Sequence, residues 1–272
     1  MGRLLFIVAV IALCVWAVRA LMQRRRERAL LAAPLTPQQR SVVAACAPVY
    51  GRLPLELQRA LEGKINVFLS QIDFHGHEGL KVTEEMRLTI AAQACLLVVN
   101  KEAWYKHLRT ILVYPGAFKS QQVESDGYVE TVRETVRTGE SWARGPVVLS
   151  WAHAKHGAFI DDDGHNVVLH EFAHQLDDLS GDTDGAPVLD QNHDGGAWTR
   201  AFRDAYARLV AQVESGRETF LDPYGATAPA EFFAVAVEYF FEKPQALARE
   251  EPALYEQLSG YFNLDPASWR EA

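Results

Sequence analysis

The chain opens on an unbroken apolar run, LLFIVAVIALCVWAVRALM over residues 4–22, whose single charge is Arg19. A helix needs about twenty apolar residues to cross a bilayer core, and Arg19 lies near enough to the end of the run to extend its head group outwards. RRRER follows at 24–28, with only Arg3 ahead of the run. A cleaved export signal has the reverse order, charge first and small residues after, so the pattern predicts a retained transmembrane anchor. Arginine-rich flanks stay on the cytoplasmic side. The expected topology is therefore single-pass in the inner membrane, with the N-terminus outside and the following domain in the cytoplasm; an export signal feeding a periplasmic enzyme is the alternative.

Past residue 28 the pattern changes. Residues 29–40, with Pro34, Thr36 and Pro37, read as a linker, which gives an anchor with its basic flank at 1–28, a linker at 29–40 and a domain at 41–272. Leu57, Leu61, Ile65, Phe68 and Leu69 recur at helical spacing and predict a helix over 55–71. A second is expected over 83–99, with Thr83 as N-cap and Glu84 and Glu85 in the first turn. TILVYPGAF (110–118), DGYVETV (126–132) and GPVVLSW (145–151) are β-branched or aromatic runs bounded by Gly or Pro, and read as strands. Helical spacing dominates again from residue 166. Helices, a small sheet, then a largely helical C-terminal half predict an α+β domain preceded by one transmembrane helix.

Composition narrows the functional classes. Apolar residues make up 49% of the chain, enough to fill a core, and the net charge of −8 excludes a general nucleic-acid binder, which needs a basic surface. The first 28 residues carry six arginines and one glutamate, so the remainder is more acidic still. Cys14, Cys46 and Cys95 lack any Cys-x-x-Cys spacing and read as reduced, structural thiols. The loop GDTDGAPVLDQNHDGG (181–196) opens like a calcium-binding EF-hand but has Ala201 where the closing glutamate belongs, so it reads as a connection.

The chemistry is concentrated in VVLHEFAHQLDD, residues 167–178. Asn166 can cap a helix with the apolar face Leu169, Phe172, Ala173, Leu176 and Leu179, and Gly181 is a natural stop. His170 and His174 stand on the neighbouring face at i and i+4, where successive turns bring two imidazoles within reach of one ion. Glu171, one step round, can address a water on that ion. This is the H-E-x-x-H arrangement of a zinc hydrolase, with His170 and His174 as ligands and Glu171 as general base in the attack on a peptide carbonyl. A third ligand is required. The longer pattern with Gly at 177 and His at 180 is excluded by Asp177 and Ser180. Asp177 reads instead as an acceptor that orients a ligand imidazole, or as a link to the following loop. Glu231 and Glu238 in PAEFFAVAVEYFFEKP (229–244) are better placed, since a carboxylate on so apolar a helix is costly to bury unless it meets a cation. GPVVLSW is expected to line the cleft and pair with an extended substrate through its backbone.

Taken together, HEFAHQLD, DGAP, DPYGATAPAEFFAVAVEYFFEKP, LVYPGAF and GPVVLSW resemble the Mlc titration factor A family of zinc-dependent peptidases, whose catalytic domain is similar to that of anthrax lethal factor. The resemblance covers most of residues 40–265. It implies a zincin-like domain of the gluzincin type, with one zinc ion on His170, His174 and Glu231, Glu171 as general base, and Tyr224 placed to stabilise the oxyanion. It also implies two partner classes, a peptide or protein substrate and a transcriptional repressor bound in a sequestering role. The apolar N-terminal run departs from the family pattern, whose familiar members are soluble.

Overall fold

The computed structural model describes residues 2–125, 130–141, 145–191 and 193–269, with side chains at all of these except 2–5, 7, 8, 119–125, 130–137 and 141. Helices α1 (Gly2–Ala32), α2 (Pro37–Cys46), α3 (Val49–Arg52) and α4 (Leu55–Gln71) come first. Strand β1 (Asp73–Gly76), helix α5 (Glu84–Leu96) and strands β2 (Thr110–Tyr114), β3 (Phe118–Ser125), β4 (Glu130–Arg137), β5 (Gly139–Ser141) and β6 (Val147–Ser150) form the middle. Then follow α6 (Trp151–Phe159), α7 (Val167–Asp177), α8 (Gly195–Glu214), α9 (Pro229–Glu242), α10 (Pro244–Glu250) and α11 (Pro252–Phe262).

The N-terminal segment corrects the membrane expectation. Among the described residues, no helix is long and apolar enough to cross a membrane. Side chains of residues 4, 5, 7 and 8, part of the expected span, lie outside the described ones. The physical reason lies in how α1 continues. It runs without a break through Arg19 and the 24–28 charge cluster, and its end is built into the domain. Asn66 Nδ2 of α4 donates to the Ala33 carbonyl at 2.8 Å, and Gly63 of α4 lets the Leu31 backbone approach so closely that a Cβ there would lie 2.1 Å from its oxygen. Residues 33–36 then join α1 to α2, with Leu35 buried and its N–H donated to Glu62 at 2.9 Å. Arg40 and Tyr50 close on the same carboxylate at 2.8 and 2.5 Å. The transmembrane helix, the membrane tether and the single-pass inner-membrane location are therefore overturned.

The sheet also differs from the expected α+β arrangement and makes the domain mixed α/β. Its order is β1-β2-β6-β5, with β1, β2 and β6 parallel and β5 antiparallel to β6. Parallel neighbours need a crossover, and α5 supplies the one between β1 and β2. Strands β3 and β4 form a separate antiparallel pair, Phe118 facing Arg137 in register. Residues 126–129 of the expected DGYVETV strand lie outside the described residues; its remainder belongs to β4. All four residues of β6 are buried, and β2 and β5 pair with both its edges. It therefore has no free edge for a substrate, and among the described residues the edge positions belong to β1 and β5.

The core lies between the sheet, α5 and the C-terminal helices. Phe172 of α7 is fully buried there, 5.8 Å from the Phe68 ring of α4 and 4.9 Å from that of Tyr105. This anchors the motif helix to the N-terminal half of the domain.

Candidate functional site

Helix α7 starts where its sequence says. Asn166 Oδ1 accepts from Val168 N and Leu169 N at 3.1 and 3.0 Å, satisfying two of the N–H groups that a helix start leaves open. Leu169, Phe172, Ala173 and Leu176 are all buried, so the apolar stripe fixes the rotation of the helix. His170 and His174 are thereby turned to the edge of the core, half-buried, facing α9.

Helix α9 begins at Pro229 and is buried along almost its whole length, from Phe232 to Glu242. Glu231, in its first turn, stays partly accessible, as do Pro229 and Ala230 before it. Before it, the 3-10 turn Pro223–Ala226 packs on α9 and carries Tyr224, whose N–H is held by the Asp222 side chain at 2.7 Å. The Tyr224 ring centre lies 5.9 Å from that of His170, and half of the residue is exposed.

Two imidazoles and one carboxylate converge. One ligand atom from each of His170, His174 and Glu231 falls within 4.8 Å of the others. The separations are 3.2 Å between the two Nε2 atoms, 2.9 Å from His170 Nε2 to Glu231 Oε2 and 3.4 Å from His174 Nε2 to the same oxygen. Metal–ligand bonds of 2.0–2.1 Å at tetrahedral angles put neighbouring ligand atoms about 3.3 Å apart. The donor set and its spacing therefore fit a zinc-sized ion. Residues 61 positions apart meet here because α7 and α9 pack side by side.

The outer nitrogen of His170 is also held. Its Nδ1 lies 2.7 Å from Glu238 Oε1, while Glu238 Oε2 accepts from the backbone N–H of Asn166 at 2.5 Å. Glu238 therefore stands behind the imidazole, on the side opposite Glu231. Asn166 Nδ2 continues the chain to Glu242 Oε1 at 2.9 Å, and Gly164 N–H meets Glu242 Oε2 at 2.9 Å. Burial pushes the Glu242 carboxyl up to about 8, with help from Glu238 and Asp163 and against the two donors. Burial alone would lower the His170 pKa, but Glu238 and Glu231, with Glu171 beyond, outweigh it and hold that imidazole protonated well above its ordinary range. Glu231 is held well below the usual carboxylate range: burial opposes its charge, and the contacts from His170 and His174 more than offset that.

Glu171 is almost fully buried and faces the edge strand β5. At Gly139 an added Cβ would lie 2.5 Å from Glu171 Oε1 and 2.7 Å from its Cγ. The strand can come so close only because residue 139 has no side chain. Neither Gly139 nor the Glu238–His170 contact is readable in the sequence. GES carries no β-branched residue to mark a strand, and the residues by themselves leave Glu238 beside Glu231 as a candidate, the resemblance alone implying Glu231. Asp177 is not among the three converging residues and accepts from Gly185 N–H at 2.7 Å.

A family described as glucose-regulated metallo-peptidase M90 matches residues 21–263. An uncharacterized protein of Synechocystis is 43% identical over 244 residues, 89% of each chain. Mlc titration factor A of Klebsiella pneumoniae is 34% identical over 229 residues, covering 82% of this chain and 85% of its own. Mlc titration factor A of Salmonella typhi is 30% identical over 230 residues, with the same coverage.

Proposed function

The chain belongs to the M90 metallopeptidase family, and from that premise we propose that it hydrolyses peptide bonds with one zinc ion held by His170, His174 and Glu231. The observation that carries this reading is the near-tetrahedral spacing of the three ligand atoms. Zinc, when bound, lowers the pKa of a water toward neutrality and polarises the scissile carbonyl. Glu171 takes up the proton of the attacking water and delivers it to the departing amine. Its burial against β5 keeps its carboxylate aimed at one place. Glu238 fixes the His170 proton on Nδ1, so that Nε2 presents its lone pair to the metal. The Tyr224 phenol, on the open side of the cluster, donates to the oxygen that gains negative charge. Strand β5 replaces β6 as the edge along which an extended substrate pairs, because β6 has both edges filled.

Two outcomes follow directly. The carboxylates of Glu238 and Glu231 favour the protonated form of His170 in metal-free protein, and a ligand nitrogen must lose its proton to bind. Zinc affinity should therefore rise with pH, and binding should release protons. Calorimetry in buffers of different ionisation enthalpy reads this, and zero proton release would refute the assignment of His170. Gly139→Ala should force the Glu171 carboxylate aside. A misplacement on the order of 1 Å costs roughly 100-fold in turnover, and zinc content should stay as in the unsubstituted chain. Unchanged kcat in Gly139→Ala would remove β5 from the account.

The name shared by the Klebsiella and Salmonella relatives, Mlc titration factor A, supports a second reading in which the chain sequesters a transcriptional regulator and hydrolysis is incidental. Cellular expression of the Glu171→Gln protein separates the two. A retained partner and an undiminished effect favour sequestration; loss of the effect favours proteolysis.

A further inference from the structure

Asp222 stands immediately before the 3-10 turn that carries Tyr224, and only about a quarter of its side chain is exposed. Its Oδ1 accepts the Tyr224 N–H at 2.7 Å, which is what an aspartate at the start of a turn ordinarily does. Its Oδ2 makes a contact that capping does not require. It lies 3.3 Å from Nδ1 of His165, one residue ahead of the Asn166 that caps α7. One carboxylate therefore touches both the turn that bears the phenol and the lead into the helix that bears the two histidines.

Both ends of this tie are anchored. The His165 N–H donates to Asp163 Oδ1 at 2.9 Å, and Gly164, with φ +82°, lets the loop lie so close to Tyr239 of α9 that a Cβ there would be 2.8 Å from its ring. On the side of the turn, Thr227 Oγ1 donates to the Tyr224 carbonyl at 2.7 Å. Gly225 is buried, and a Cβ on it would lie 3.3 Å from Leu209 of α8 and 3.4 Å from Val235 of α9. The turn thus rests on two helices, and Asp222 links it to the entry of a third. We propose that Asp222 is a positioning residue for the Tyr224 phenol: Oδ1 fixes the Tyr224 backbone, and Oδ2, through His165, holds that backbone in register with α7, where the Tyr224 and His170 rings stand 5.9 Å apart. This rests on the reading of Tyr224 as the donor to the oxygen that gains negative charge. Such a donor acts only at hydrogen-bond distance from that oxygen, so a small shift of the turn removes its contribution without touching the metal ligands.

The test uses the full zinc-loaded chain, a quenched fluorescent peptide, and the variants Asp222→Ala, Asp222→Asn and His165→Ala, each in the parent and in Tyr224→Phe. Tyr224→Phe alone should lower kcat roughly 100- to 1,000-fold, the loss of one oxyanion donor. Asp222→Ala should lower kcat on the order of 100-fold, the effect of displacing a reacting group by about 1 Å, with KM and zinc content as in the parent. His165→Ala should lower kcat less, again without a change in KM. Asp222→Asn keeps an oxygen for the Tyr224 N–H and should recover most of what Asp222→Ala loses. In the Tyr224→Phe background none of the three should slow turnover further, which a merely structural role would not produce. His165 is exposed, so its variant carries the test even where Asp222→Ala fails to fold. Parent kcat in Asp222→Ala or His165→Ala, or the same loss repeated in Tyr224→Phe, overturns the proposal while leaving the zinc peptidase standing. Parent kcat in Tyr224→Phe overturns the oxyanion role and this proposal together, and a parent chain that cleaves no peptide overturns the hydrolytic reading with both.

Discussion

Glu171→Gln is expected to keep its metal and lose peptide hydrolysis by roughly 100- to 10,000-fold, the range a positioned general base contributes. The expectation rests on where the side chain sits. Glu171 lies next to His170 on α7 but outside the ligand cluster, nearly buried and confined by Gly139. Glutamine has almost the same shape, so it fits that confinement without moving β5, yet it cannot take a proton from water. The loss should therefore fall on kcat, with little change in KM, and zinc content should match the parent chain. Steady-state kinetics on a quenched fluorescent peptide, with metal content measured on the same sample, reads both halves. Cleavage at the parent rate would show that the base lies elsewhere.

His170→Ala has the wider consequence, because His170 touches everything at the centre. Its Nε2 faces Glu231 and His174, and its Nδ1 faces Glu238. Removal should abolish zinc binding and hydrolysis together. It should also destabilise the metal-free fold, since Glu238 would be left buried beside Glu242 without its cationic partner. Breaking a buried charged contact from one side costs about 3–5 kcal/mol. Denaturant unfolding of metal-free parent and variant measures this term apart from the metal. A variant as stable as the parent would mean that Glu238 is neutralised by other means.

The sequence is most legible where the chemistry is local. The cap at Asn166, the apolar stripe through Phe172 and the i, i+4 histidines all follow from one helical period, and α7 forms as those positions dictate. Helix α4 likewise spans the 55–71 segment that the spacing of Leu57, Leu61 and Ile65 marks out. The third carboxylate is of another kind. Periodicity left Glu231 and Glu238 as equivalent candidates seven residues apart, and only the packing of α9 on α7 puts one in front of the imidazole and the other behind it. Strand order is equally non-local. GPVVLSW reads as a strand on its own, but whether its edge is free depends on GES, too short and polar to register as a strand. The apolar run at 4–22 misled because hydropathy in a window does not register that the helix continues through five further charges and ends docked on α4.

Metal content of the purified full chain tests the central claim most directly. About one zinc per chain is expected for a single site with two histidines and a glutamate, kept in Glu171→Gln and absent from His170→Ala and Glu231→Ala. Zinc retained at the parent level in Glu231→Ala, or full hydrolysis by a parent chain from which all metal has been stripped, would contradict it.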